Sequence, residues 1–207
     1  MKAIFFDFDG TLLNSLNLYR EILIKYFSNR HVAIDELLVR SIEASISIGG
    51  HELFSSIMSK NYSNDDIELF RFGQLDLVEE SHLHLTSIQI NQISKKFNLF
   101  LFSSKPDALC TIILDKLNIS ESFTKINGLN GLYPNKPSPQ FYEQMKKDIK
   151  FDDAFFIGDS DIDYLTAEAC DIDYFHCAWG YGPTDYIDAY HKVFYSPTDL
   201  FAFLVGN

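Results

Sequence analysis

The spacing of hydrophobic residues divides this 207-residue chain into three stretches. Residues 3–8 (AIFFDF) are apolar except for Asp7, which is typical of a short buried strand in a parallel sheet. From Asn14 to about Thr86 the apolar residues recur at helical spacing, and no strand pattern interrupts them. The helices predicted in this second stretch begin after Asn14 and cover about 35–46, 51–60 and 64–80.

Strand and helix patterns alternate in the third stretch, which follows residue 86. Predicted strands cover about 98–103, 123–127, 154–158, 172–178 and 193–195. Predicted helices cover about 87–96, 107–117, 138–148 and 161–170, and a last one begins near Thr198. Such alternation favours an α/β fold with a doubly wound, Rossmann-like parallel sheet. Because the first strand belongs to this sheet, we predict an α/β core of residues 1–13 and 87–207 and an inserted helical domain of residues 14–86.

Composition restricts the classes of partner and the compartment. The net charge of −12 disfavours nonspecific binding to nucleic acid or to an anionic membrane. An odd number of cysteines without metal-type spacing (Cys110, Cys170 and Cys177) fits a reducing compartment. The first residues resemble no signal peptide, and no apolar run reaches the roughly 20 residues of a membrane span. We therefore expect a cytoplasmic protein that binds neither nucleic acid nor membrane.

Unusual polar residues stand where the predicted strands end. They are Asp7 and Asp9 after the first strand, Ser103, Ser104 and Lys105 after the second, Asp159, Ser160 and Asp163 after the strand at 154–158, and Lys136 in the loop PNKPSPQF. Ligands of open parallel sheets bind beyond the carboxyl ends of the strands, so these clusters are expected to converge on one rim. A turn, a helix cap or a solvated lysine explains each cluster alone as well as a site does or better, but their joint placement indicates a site.

The residue types at this rim favour phosphoryl chemistry. Clustered carboxylates call for a hard cation, and ligation by oxygen alone favours Mg²⁺. One carboxylate can attack phosphorus, while a second, two residues further on, can protonate the leaving oxygen and then activate water. A hydroxyl and an ammonium group can bind the phosphoryl oxygens. Alternation along a strand would let Asp7 and Asp9 face one centre.

Four motifs together resemble the haloacid dehalogenase superfamily of phosphotransferases. FFDFDGTLLNS resembles its first motif, FLFSSKP the second, NKPSP the third and FFIGDSDID the fourth. Among its members, the phosphoglycolate phosphatase-like proteins are similar in the loop WGYG at 179–182. The stretch 14–86 resembles the small helical cap of these proteins. Asn14, which replaces the usual acid of an Asp-Ser pair, and Cys170, which replaces a common glycine, depart from the pattern.

The resemblance implies a role for each motif residue. Asp7 would attack phosphorus and bind Mg²⁺, and Asp9 would act as general acid and base while its backbone carbonyl also binds the metal. Asp159 would be a further metal ligand, with Asp163 as ligand or as the residue that orients it. The phosphoryl group would be held by Ser103 and Lys136, helped by backbone N–H groups around Phe8, Gly10 and Ser104. An acid at position 9 argues for phosphate esters, because a dehalogenase has no leaving alcohol to protonate.

The cap offers weaker candidates for substrate contact. Residues 47–51 form a predicted loop facing the rim, in which Gly50 and His51 are candidate contacts. Arg40, His51 and Arg71 are candidate partners for an acidic substrate group, although a surface position explains each of them better. His82 and His84, near the return to the core, are expected to be solvated.

The expected activity is Mg²⁺-dependent hydrolysis of a small phosphomonoester, such as a phosphoglycolate-like acid or a sugar phosphate. A phosphosugar mutase of the β-phosphoglucomutase type shares all four motifs and stays an alternative. A receiver-like signalling domain or another non-catalytic phosphate-binding protein is a third reading. We expect the partner to be a small phosphorylated metabolite and the protein to be a monomer or a homodimer.

Overall fold

A six-stranded parallel sheet forms the centre of the structure, a computed structural model that describes residues 1–30, 33, 35–45 and 63–206. The strands are β1 (Ala3–Phe6), β2 (Asn98–Pro106), β3 (Phe123–Leu129), β4 (Ala154–Gly158), β5 (Asp173–Cys177) and β6 (Lys192–Phe194). Their order is β3-β2-β1-β4-β5-β6, and each neighbouring pair is parallel. The predicted doubly wound parallel sheet is thereby confirmed, with its switch in strand order at β1.

Eight α-helices lie within the described residues, and several of them begin at a side-chain cap. They are α1 (Ser15–Asn29), α2 (Glu36–Ser45), α3 (Asn64–Leu77), α4 (Ser87–Ser94), α5 (Asp107–Lys116), α6 (Gln140–Ile149), α7 (Asp161–Cys170) and α8 (Pro197–Val205). Ser63, Thr86 and Ser160 each form a capping box with the residue three positions later, which satisfies N–H groups at the helix start. None of the helices within the described ranges is long and apolar enough to span a membrane.

The aromatic residues of the strands supply the core. Phe5 of β1 lies opposite Phe100 and Phe156 of the two neighbouring strands, and its ring stacks on that of Phe100 at 4.7 Å. Phe141 and Tyr142 of α6 add edge contacts to the Phe5 ring at 5.7 and 5.5 Å. Such aromatic side chains each bury a large apolar area, so this packing fixes the strands that carry the polar rim.

Two strand boundaries differ from the predicted ones. β1 ends at Phe6 rather than Phe8, because the carbonyl of Phe8 already accepts N–H groups from Leu12 and Leu13 in a turn. β2 continues to Pro106, which pairs with Leu129 of β3 beyond a shift in register. The helix predicted over 51–60 lies outside the described residues.

The chain divides into two compact units, one of Met1–Asn14 with Leu83–Asn207 and the other of Ser15–His82. In the second unit, the ring of Tyr19 in α1 packs on Phe70 of α3 at 5.1 Å between centroids. A side chain at Gly73 would come within 2.8 Å of Ile22, so glycine permits this close approach of the two helices.

The expected solvation of His82 is wrong. Its side chain is 6% exposed, its Nδ1 accepts a hydrogen bond from the Glu79 N–H at 3.2 Å, and its Nε2 lies 3.5 Å from Glu21. His84 is half-buried, and burial lowers its pKa to about 4, so this ring is neutral at physiological pH.

Candidate active site

Polar side chains from four segments lie beyond the carboxyl ends of the central strands. Asp7 follows β1, Ser103 lies near the end of β2, and Asp159 follows β4. Lys136 comes from the loop between β3 and α6. All four side chains are buried. Since β1 lies between β2 and β4, these positions place Asp7 at the centre of the rim.

Three carboxylates and one ammonium group form the middle of this rim. Asp7, Asp159 and Asp163 each place one ligand oxygen within 4.8 Å of the others. The Nζ of Lys136 lies 2.6 Å from Oδ1 of Asp7 and 2.6 Å from Oδ1 of Asp163. One positive charge therefore faces three negative ones, which leaves the cluster short of positive charge.

Burial and mutual repulsion change the acidities of this cluster. Burial raises the pKa of Asp7 well above its ordinary value, and the charges of Asp163 and Asp159 raise it further, against the opposing effect of Lys136. Burial, followed by the charge of Asp163, raises the pKa of Asp159 to about 7. Burial acts to lower the pKa of Lys136, but the carboxylates of Asp163 and Asp7 outweigh it, so this pKa is raised. Lys136 is thus held as an ammonium ion.

The loop after β5 fixes Asp159. Its Oδ2 accepts the backbone N–H groups of Tyr181 at 2.8 Å and Gly182 at 3.0 Å. The indole N–H of Trp179 in the same loop donates to the carbonyl of Thr11 at 3.2 Å, which joins this loop to the turn after Asp9. The WGYG segment therefore orients one site acid and anchors the turn that carries another.

Asp163 caps the start of α7. Its Oδ2 accepts hydrogen bonds from the Ser160 hydroxyl at 2.6 Å, the Ser160 N–H at 3.1 Å and the Asp159 N–H at 3.2 Å. Its Oδ1 is paired with Lys136. Both oxygens are thus engaged, and the side chain orients Lys136 and the backbone of Asp159.

A glycine permits the turn between Asp9 and the rest of the chain. Gly10 has φ of 84°, a left-handed conformation that favours glycine. A Cβ at this position would lie 2.2 Å from Oδ2 of Asp159. Only a residue without a side chain fits both the conformation and the approach to this carboxylate.

Asp9 lies beside a different lysine from the one that faces Asp7. Its Oδ1 is 3.1 Å from Nζ of Lys105, whereas Asp7 is paired with Lys136. Because β1 ends at Phe6, the alternation of a regular strand does not extend over the two acids. The carboxylate of Asp9 is therefore separate from the cluster of three, and its backbone carbonyl is the group that the resemblance assigns to a metal.

The phosphate-binding candidates of β2 differ in exposure. Ser103 is buried, and its Oγ accepts the backbone N–H of Lys105 at 3.1 Å, while Ser104 is exposed. The sequence interpretation noted Lys105 at this strand end but gave it no role. Its spacing could have indicated a role. Lys105 follows Ser103 by two residues, just as Asp9 follows Asp7 beyond the end of the neighbouring strand β1.

Among the candidate residues of the helical unit, the structure describes Arg40 and Arg71. Arg40 is exposed and pairs with Glu36 of its own helix, and Arg71 pairs with Glu68. Each pair spans three or four positions of one helix, a spacing typical of surface ion pairs. Gly50 and His51 lie outside the described residues.

The donor set at the rim fits a hard divalent cation. Asp7, Asp159 and Asp163 form a buried group of carboxylates whose oxygens are close enough to share one ion. Oxygen ligands suit Mg²⁺, and besides burial the neighbouring carboxylates raise the pKa values of Asp7 and Asp159, a repulsion that a cation would offset. Because Asp163 already uses both oxygens within the protein, Asp7 and Asp159 are the side chains best placed to hold the ion.

Comparison with known proteins decides the family. A model of the haloacid dehalogenase-like hydrolases matches residues 4–177, which include all four rim segments. The chain belongs to the haloacid dehalogenase-like hydrolase family. A phosphoglycolate phosphatase from Aquifex aeolicus is 25% identical over 189 residues, covering 87% of this chain and 86% of that protein. One from Aliivibrio fischeri is 23% identical over 197 residues, again covering 87% and 86%.

Solved structures share the fold of this hydrolase. The Bacillus subtilis HAD-hydrolase YfnB bound to magnesium superposes with a TM-score of 0.75 at 14% identity, covering 98% of each chain. A haloacid dehalogenase-like family hydrolase from Streptococcus pneumoniae has a TM-score of 0.67 at 20% identity, covering 97% of each chain. At this identity the likeness concerns the fold alone. The expected superfamily and its Rossmann-like core are confirmed.

Proposed function

We propose that this hydrolase is a Mg²⁺-dependent phosphatase that cleaves a small phosphomonoester through an aspartyl-phosphate intermediate. The observation that carries the proposal is the buried carboxylate of Asp7 at the centre of the rim, held by Lys136 at 2.6 Å, with a second acid, Asp9, outside the carboxylate cluster. This arrangement separates an attacking group from a proton donor, which is what cleavage of an ester requires.

The chain's own residues supply each step. A carboxylate oxygen of Asp7 forms a bond to phosphorus as the bond from phosphorus to the ester oxygen breaks, and Asp9 gives its proton to that oxygen. Asp9 then takes a proton from water, whose oxygen attacks phosphorus and releases inorganic phosphate from Asp7. Ser103 and Lys136 hold the phosphoryl oxygens during both transfers.

Asp7 and Asp159, with the backbone carbonyl of Asp9, are the groups that would hold Mg²⁺. The ion would supply positive charge next to the phosphoryl oxygens. Asp163 and the loop after β5 keep Lys136 and Asp159 in place.

The similarity to phosphoglycolate phosphatases supports a small, acidic substrate such as a phosphoglycolate-like metabolite. A cytoplasmic location and a monomeric or homodimeric state also stay predictions.

A panel of phosphorylated metabolites tests the proposal by release of inorganic phosphate with Mg²⁺ and after chelation. We expect turnover of at least one small ester with Mg²⁺ and none after chelation. Asp7→Asn should abolish it, whereas Asp148→Asn, the same change at an exposed position of α6, should not. Absence of turnover, or unchanged turnover in Asp7→Asn, would contradict the proposal. Interconversion of hexose phosphates with little phosphate release would instead indicate the mutase.

A further inference from the structure

We propose that Lys105 is the positioning residue of the proton donor: it holds the carboxylate of Asp9 in the place from which Asp9 protonates the leaving oxygen. This inference rests on the proposed phosphatase function and adds a residue to it. The ammonium group of Lys105 lies 3.1 Å from Oδ1 of Asp9. Such a pair combines charge attraction with a hydrogen bond, which gives it direction.

Burial distinguishes Lys105 from an ordinary surface lysine. Its side chain is 3% exposed, whereas that of Asp9 is 23% exposed. Lysine is rarely buried unless it is paired, because its charge loses hydration. The buried lysine is therefore held in place, and the carboxylate of Asp9 is the group of the pair that reaches solvent. This difference in exposure fits a positioning role for Lys105 and a proton-transfer role for Asp9.

The main chain of Lys105 is held on both sides. Its N–H donates to Oγ of Ser103 at 3.1 Å, and its carbonyl accepts the thiol of Cys110 in α5 at 3.7 Å. Burial raises the pKa of that thiol to about 12, so it stays a protonated donor. Lys105 thus connects the hydroxyl that is proposed to hold the phosphoryl group with the acid proposed to serve the leaving group.

Asp9 lies beyond the regular strand, in an isolated bridge with Leu13, and Lys105 is one partner of its carboxylate. The regular part of β1 ends three residues earlier, at Phe6, and Gly10 follows Asp9 with a left-handed backbone. Asp7, by contrast, keeps a sheet-like hydrogen bond from its N–H to the Ile157 carbonyl at 2.9 Å. The two acids are therefore held differently. The edge of the sheet and Lys136 hold Asp7, whereas a turn and Lys105 hold Asp9.

A direct contact of Lys105 with substrate would predict a different behaviour. Exposure does not separate the two roles, because Lys136, which is proposed to hold the phosphoryl group, is covered to a similar extent as Lys105. Loss of a binding group would raise KM for every ester to a similar extent. Loss of a support for the acid should lower kcat/KM only where the leaving oxygen needs a proton, because the later attack of water, which also uses Asp9, does not enter that quantity.

The test compares an alkyl ester with an aryl ester in Lys105→Met. The quantity is kcat/KM with saturating Mg²⁺, for phosphoglycolate and for p-nitrophenyl phosphate, whose leaving group departs without a proton. We expect kcat/KM for the alkyl ester to fall about 10–100-fold and that for the aryl ester to change less than about 3-fold. Lys105→Gln should behave in the same way, Lys105→Arg should recover part of the alkyl activity, and Lys147→Met, at an exposed site of α6, should change neither.

Asp9→Asn supplies the reference. It should show the same preference for the aryl ester, and the double variant Asp9→Asn with Lys105→Met should lose little more than Asp9→Asn alone, because both changes remove one function. Equal losses for the two esters, or additive losses in the double variant, would overturn the role of Lys105 while leaving the phosphatase intact. A wild-type protein that hydrolyses neither ester would overturn the phosphatase and this role together.

Discussion

Lys136 faces two buried carboxylates at equal distances of 2.6 Å, and its contribution to stability differs from that of a surface ion pair. Charges removed from water lose hydration, and breaking such a pair leaves the remaining charges without compensation. The same side chain that is proposed to bind phosphate therefore also keeps the acids of the rim compatible with a folded core.

Replacing Lys136 by Met is expected to destabilise the protein by about 3–5 kcal/mol in the absence of a divalent cation. The loss should become smaller with Mg²⁺, since the ion would supply part of the missing charge. Urea unfolding with and without Mg²⁺ measures both effects. Lys147→Met removes an exposed lysine and should change stability by less than about 0.5 kcal/mol. Equal stability of Lys136→Met and wild type would contradict this view of the pair.

Asp66 gives the helical unit a pH-dependent contribution. Its carboxylate accepts the Tyr26 hydroxyl at 2.7 Å and the Ser63 N–H at 2.8 Å, and it pairs with Arg30. Burial acts to raise the pKa of Asp66, but the bonds from Ser63 and Tyr26 and the charge of Arg30 outweigh it and lower this pKa to about 2. A lowered folded-state pKa stabilises the protein above the unfolded value of about 3.9, and this stabilisation disappears as pH falls towards 2.

We therefore expect Asp66→Asn to be less stable than wild type at pH 7, and this difference to shrink as pH falls from about 4 to 2. Urea midpoints of the two proteins at pH 7 and at pH 3 give the comparison. Asp148→Asn serves as the matched change at an exposed position, for which no such narrowing is expected. A difference between wild type and Asp66→Asn that is independent of pH would rule out this role.

The sequence predicted the site residues that lie in recognisable motifs at strand ends. It was less informative about residues whose role depends on burial in the folded chain. The acids and the lysine of the rim were found because each follows a strand or precedes a helix in a recognisable motif. His82 was expected in solvent, because its burial and its contact with the distant Glu21 depend on the tertiary fold. Lys105 received no role because its partner, Asp9, is 96 positions away in the chain, a contact that only the adjacency of β1 and β2 creates.

At the scale of whole elements, the loop after β5 packs closely against Asp159 and orients its carboxylate. Gly180 lies so close that an added Cβ would be 2.2 Å from Cβ of that residue. The next two residues, Tyr181 and Gly182, donate their N–H groups to its carboxylate. With a side chain at position 180, the loop would have to move away from the acid that it orients.

Gly180→Ala should weaken binding of Mg²⁺ about 10-fold or more, because Asp159 must shift from its two N–H donors; losses of 10–100-fold are usual for groups that orient metal ligands. Titration calorimetry measures the affinity without turnover. Ala178→Ser, an exposed change in the same loop, should leave it within about 2-fold. Unchanged affinity in Gly180→Ala would show that the loop does not set the position of Asp159.

The described helices and strands were predictable in kind and in order, and their ends were less so. The starts of α4 and α7 agree with the predicted positions 87 and 161, and in the structure a capping box at Thr86 and at Ser160 fixes each start locally. The end of β1 was placed two residues too late, since Phe8 is as apolar as the strand before it and only the turn through Gly10 stops the ladder. A hydrophobic pattern predicts which residues are buried but does not show where a strand ends. Phe8 is buried although it lies outside β1.

The whole molecule combines a net charge of −12 with a buried acidic cluster at its rim. Any cation that binds the folded protein but not the unfolded chain stabilises the fold by mass action. At a concentration about 100 times its dissociation constant, Mg²⁺ should add about 2.7 kcal/mol.

This gain should appear as a rise in Tm of about 5–10 °C for a chain of this size. Asp159→Asn should remove most of the rise, and Asp148→Asn should keep it. Thermal unfolding followed by circular dichroism, with Mg²⁺ or with an equal ionic strength of NaCl, separates ion binding from screening. A rise that is the same in Asp159→Asn, or that NaCl reproduces, would contradict a site at the rim.

The strand order also has a consequence for how the protein becomes active as it is made. β1 leaves the ribosome first, but its two sheet neighbours arrive only with residues 98–106 and 154–158, and the loop that fixes Asp159 comes later still. Pairings between such distant segments form late, because the intervening chain must first be closed into a loop. A nascent chain therefore carries Asp7 for most of its synthesis without the groups that activate it, and activity should begin abruptly once β5 and its loop have emerged.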